Sequence, residues 1–138
     1  MKNSSQFETY KKLSKACHFM LSRPEFYTED IEPTRDTFLK GLNELLLVSL
    51  DHHFDAERLT KVSDLWGKDR VEFDKQAIKY IQESVENDKT YVIVNRYMAK
   101  MLVLFIASTR EEFIDMVDDE LERLGVDSET FKSLIQEN

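Results

Sequence analysis

From Tyr91 to Ala107 the chain reads YVIVNRYMAKMLVLFIA, a stretch with no glycine and no proline. Strands usually end after about five or six residues. YVIV favours strand by propensity alone, but the unbroken length selects a helix. Only Asn95, Arg96 and Lys100 interrupt the apolar residues. The expectation is a largely buried helix over 91–107 with one polar stripe. It is too short in apolar residues to span a bilayer. Its longest unbroken apolar run covers 101–107, against roughly 20 residues for a spanning helix.

A second segment has the same character. Pro33 suits the first turn of a helix, where its missing N–H costs little. Phe38, Leu39 and Leu42 follow at helical spacing, and LLLVSL at 45–50 is apolar on every side. A buried helix is therefore expected over 35–52. Two such helices are hard to hide in one layer. They imply a central hairpin wrapped by the others, or a homodimer interface.

The remaining helices are read from start and stop signals. Ser5-Gln6-Phe7-Glu8 has the pattern of a capping box, followed by Phe7, Tyr10, Leu13, Cys17, Met20 and Leu21 on one side. Pro24 ends that helix, and residues 24–33 read as an acidic loop holding Phe26 and Tyr27. Asp55 can cap a short helix with Leu59, Val62, Leu65 and Trp66, closed by Gly67. Asp69-Arg70-Val71-Glu72 opens another, with Phe73, Ala77, Ile78, Ile81 and Val85 inward. Asn87-Asp88-Lys89 reads as a turn. Thr109-Arg110-Glu111-Glu112 reads as a further capping box. Phe113, Ile114, Val117, Leu121 and Leu124 then form an apolar stripe that Gly125 stops. Asp127 or Ser128 opens a last short helix with Phe131, Leu134 and Ile135.

The expected fold is thus all-α, a compact bundle of six or seven helices in a single domain over 1–138. The low count of turn formers, three Gly and two Pro in 138 residues, points the same way, because sheets need many tight turns. The single cysteine, Cys17, has no partner for an internal disulfide. The opening MKNSSQFETY has no apolar run of the kind a signal peptide carries. Both features suggest a cytoplasmic protein, of the cell or of a host cell, with no membrane association.

Charge is distributed unevenly. The net charge is −8, yet residues 1–110 carry equal numbers of acids and bases. The surplus lies in residues 111–138, where Arg123 and Lys132 face ten acids. Duplex binding needs a basic surface, so nucleic acid is an unlikely partner. Residues 1–24 are locally basic through Lys2, Lys11, Lys12, Lys15 and Arg23 against Glu8.

Four groups of residues are candidates for chemistry or binding. Asp51, His52, His53 and Asp55 are metal-ligand and acid/base residue types within one short stretch. They would support a metal-dependent hydrolase. The same residues also suit a polar helix end, with imidazoles near the negative end of the dipole and Asp55 as the next cap. Three of the letters, Asp51-His52-His53, also occur in a phosphoesterase family. That family's motif belongs to an α/β fold with further aspartate motifs missing here, so no membership follows. Cys17 and His18 are helix neighbours about 100° apart and do not face each other, which suits a structural thiol better than a nucleophile. Residues 56–80 could form a helix pair that reads DNA and so serve a nucleic-acid-linked regulator. There Lys61, Lys68, Arg70, Lys75 and Lys79 are offset by Asp64, Asp69, Glu72 and Asp74. No Gly-rich phosphate loop, Cys-x-x-Cys or Gly-x-Ser-x-Gly occurs, so no cofactor is expected and the balance leans away from an enzyme.

The fourth group is the acidic helix near the C-terminal end. Asp115, Asp118, Asp119 and Glu122, with Glu111 and Glu112 ahead of them, line the face opposite Val117 and Leu121. Like charges at these spacings cost a few tenths of a kcal/mol per pair. A docking face for a protein with a basic surface would account for them; so would plain solubility. The preferred reading is a small acidic binding module. It could be an inhibitor, an immunity-type protein, an adaptor, or an accessory protein of a phage or mobile element.

Overall fold

The computed structural model describes residues 4–26, 40, 56–65, 68–84, 88–126 and 128–135. The described chain is all-α, with no strand among the described residues. Among the described residues six helices follow in order: α1 (Ser4–Leu21), α2 (Ala56–Asp64), α3 (Arg70–Ser84), α4 (Asp88–Ala107), α5 (Ile114–Leu124) and α6 (Ser128–Ile135). Short 3-10 turns, Pro24–Phe26 and Glu111–Phe113, follow α1 and precede α5. No described helix is long and apolar enough to cross a membrane.

The core is built on the pair α1 and α4, the most extensive helix contact among the described residues. Tyr10, Leu13, Ala16, Cys17 and Met20 from α1 meet Tyr91, Val94, Met98, Leu102 and Phe105 from α4, all of them buried. Phe7, Tyr10 and Tyr91 form an aromatic triangle with ring centroids 5.6–6.5 Å apart, a spacing favourable to aromatic rings. α3 lies against α1 and supports α2, while α5 and α6 pack against α1 and α4 respectively.

The helix expected over 91–107 starts three residues earlier, at Asp88, so Asp88 and Lys89 are helical rather than part of a turn. Most of its surface is buried, as its composition implies. Its polar stripe, however, does not run through Asn95. That residue is fully buried, and its amide Nδ2 donates to the Gln6 carbonyl and to Gln6 Oε1 at 3.0 and 3.1 Å. Asn95 and Arg96 are adjacent and therefore point about 100° apart. One faces α1 while the other lies half-exposed beside exposed Lys100. The outer face of α4 is completed by apolar Val103 and Leu104, 37% and 46% exposed.

α1 is less legible than α4. His18, Ser14 and Phe19 are buried along with Tyr10, Leu13, Cys17 and Met20 of its expected stripe, while Phe7 and Leu21 are half-buried. The helix runs from Ser4, so Ser5 sits inside the first turn and not at a cap. The end is as the sequence implies: the helix stops at Leu21, and Pro24 opens a 3-10 turn. The buried helix expected over 35–52 lies outside the described residues except for Lys40, and so do Asp55 and Gly67.

Two helix boundaries repay attention. Asp69 caps α3 as expected, its carboxylate accepting the Glu72 N–H at 3.0 Å. Thr109 does not cap α5. Its hydroxyl turns back to donate to the Phe105 carbonyl at 2.9 Å, closing α4 instead. α5 therefore starts only at Ile114, after the 3-10 turn, with no side-chain cap.

A candidate protein-docking face

The position of α5 is set at its start by an aromatic lock. Phe26, expected in a loop, is buried, stacks on Phe113 at 4.8 Å and meets Phe19 edge-on at 5.8 Å. Beside it the Arg110 N–H donates to the Phe26 carbonyl at 2.6 Å. The end of α5 is fixed by Gly125, with φ 73° and ψ 33°. The Gly125 N–H donates to the Glu122 carbonyl and the Val126 N–H to the Leu121 carbonyl, both at 3.0 Å. These two bonds form a Schellman motif, so the helix stops at the glycine, as the sequence implies.

Between these ends, α5 turns Val117 into the core and half-buries Leu121 and Leu124. At about 100° per residue, Asp118, Glu122, Asp115 and Asp119 then fill one continuous outer sector. All four are exposed, as are Glu111 and Glu112 in the preceding turn. Among the described residues, none of the six makes an ion pair. The one base on the helix, Arg123, is held by Glu120 through two contacts, with its Nε donating at 3.0 Å. The acidic sector is therefore left without a paired cation among the described residues.

Two apolar side chains flank that sector. Ile114, expected to face inward, is 42% exposed, and Met116 is 51% exposed. The late start of α5 explains Ile114: it is the first helical residue, carried outward by the preceding 3-10 turn. Met116 was readable from the wheel, because it lies about 140° from Leu121.

Asp51, His52, His53 and Asp55 lie outside the described residues. Among the described residues, no three His, Cys, Asp or Glu side chains gather as a metal site would require. Cys17 and His18 are both buried and serve different helices. The Cys17 Sγ lies 3.7 Å from the Met98 carbonyl on α4, while the His18 ring stacks on Phe73 of α3 at 5.1 Å. Burial pushes the Cys17 thiol well above its usual range, the opposite of what a nucleophile needs.

The basic residues are dispersed. Lys11 pairs with Glu8 at 2.9 Å, and Arg23 lies 4.0 Å from Glu25 and over the Phe19 ring. Lys61, Lys68, Lys75 and Lys79 are exposed on or beside α2 and α3, with exposed Asp64 and Asp69 among them. Comparison with protein-family models, with curated proteins and with solved structures finds no match to this chain.

Proposed function

We propose that the protein is a binding module that docks on a protein with a basic surface through the outer face of α5. One observation carries this reading. Glu111, Glu112, Asp115, Asp118, Asp119 and Glu122 are all exposed on one side, and none is ion-paired among the described residues. A dense field of one sign raises encounter rates with a complementary partner. Exposed Ile114 and Met116 at its edges offer apolar contact that a charge field alone lacks. An inhibitor, an immunity-type protein and an adaptor all act through such a surface.

The test is kinetic. A partner is captured with the wild-type chain, and its association is measured against the combined variant Asp115→Lys, Asp118→Lys, Asp119→Lys, Glu122→Lys. Association of the wild type should slow as salt rises, and the variant should associate at least about tenfold more slowly at low salt. Equal association rates for the two chains would remove α5 as the docking face.

A further inference from the structure

We infer that the pocket between α1 and the α5–α6 turn binds a small aliphatic carboxylate. The pocket encloses about 110 Å³ and is lined by Thr9, Lys12, Leu13, Val126, Phe131 and Leu134, with Gly125 at its edge. Leu13 is buried at its floor. Val126, Phe131 and Leu134 are only half-buried, so they keep apolar surface that an occupant would cover. The site lies on different residues from the α5 face and does not depend on it.

Lys12 gives the pocket its chemical preference. Its ammonium makes no ion pair among the described residues, unlike neighbouring Lys11, which is held by Glu8. The side chain lies against Gly125: a methyl group there would sit 3.6 Å from both Cε and Nζ of Lys12. The chain reversal that requires a left-handed residue therefore also seats a cation at the pocket's edge. The Thr9 hydroxyl donates to the Ser5 carbonyl at 3.1 Å, which leaves it able only to accept. Lys12 is thus the charged donor available to an anionic head group.

Size and charge narrow the ligand. The space of about 110 Å³ accommodates a short branched tail of four or five carbons. One cation, Lys12, stands at the pocket's edge, and a singly charged carboxylate matches it charge for charge.

The test uses 4-methylpentanoate and 4-methylpentanamide, which share a tail and differ in charge, titrated into the full chain and followed by NMR. The carboxylate should bind with a Kd on the order of 1 mM, as suits so small a ligand, shifting the resonances of Thr9, Gly125 and Leu134. Lys12→Ala should weaken it about fivefold, to the level of the amide. Leu134→Trp, which fills the pocket, should abolish binding of both. Lys12 is exposed, so its variant folds and keeps the comparison interpretable. No saturable shifts, equal affinity for acid and amide, or binding untouched by Leu134→Trp would each overturn the inference.

Discussion

α4 and α5 follow one another in the chain, yet they use their surfaces in opposite ways. α4 packs most of its circumference against α1 and α6, even hiding the polar side chain of Asn95. α5 buries Val117 and leaves its outer sector to four acids and two exposed apolar residues, with two more exposed acids in the turn before it. The difference separates two tasks. Substitutions in the α1–α4 pair should act on folding, whereas substitutions on the α5 face should leave folding nearly untouched and act on whatever the face meets.

The strongest way to break this division is alkaline pH, because the α1–α4 interface holds three buried weak acids. Burial pushes Tyr91 up to about 12 and drives Tyr10 and Cys17 further above their usual values. Each stays protonated in the fold after it has ionised in the unfolded chain. Stability contributed this way is fully present below the unfolded pKa values, near 9 for the thiol and 10 for the phenols. It is lost as pH rises above them. Each group removes about 1.4 kcal/mol per pH unit within its window, so the three together remove about 4 kcal/mol per unit above pH 10. Urea unfolding at pH 9, 10 and 11 should show that fall, with Cys17 unreactive to thiol reagents until the fold opens. A flat profile would mean that water reaches the pair.

A gentler test compares one leucine from each region. Leu102 on α4 is fully buried, so Leu102→Ala should cost about 3 kcal/mol through lost burial and the cavity left behind. Leu121 on α5 is only half-buried, and Leu121→Ala should cost about half as much. Denaturant midpoints measure both. Equal losses would show that α5 is as deeply integrated as α4, which would weaken the case for an independent docking helix.

The two helices also differ in how much of them the sequence disclosed. For α5, the stop was legible to the residue, because only a left-handed Gly125 satisfies the Leu121 and Glu122 carbonyls in this way. The start was not, because Thr109 had two uses for one hydroxyl, and tertiary context chose the end of α4. For α4, burial followed from composition, but the inward turn of Asn95 did not. It depends on Gln6, 89 residues away, and no local pattern announces a contact at that distance. The burial of Phe26 is hidden in the sequence for the same reason: its partner Phe113 is remote along the chain. The acidic face itself was visible in full, since charge at helical spacing needs no partner to be read. Its exposed apolar flank at Ile114 was hidden by the misplaced helix start.

The smallest expected effect is the most diagnostic for the α5 face. Asp115 lies in the first turn of α5, where a negative charge suits the helix dipole, whereas Glu122 lies in the last turn, where it opposes the dipole. Asp118 and Asp119 stand between them at like-charge spacings of three and four residues from both. Neutralising Asp118→Asn, Asp119→Asn and Glu122→Gln while keeping Asp115 removes these repulsions and leaves the favourable charge in place. Stability should therefore rise, by about 0.5 kcal/mol at low salt, and the gain should vanish near 1 M salt, where screening acts within about 3 Å. A face kept acidic at the expense of its own helix has a use other than folding. If the neutralised chain is instead less stable, the acids contribute to holding the fold, and the main ground for a docking role is gone.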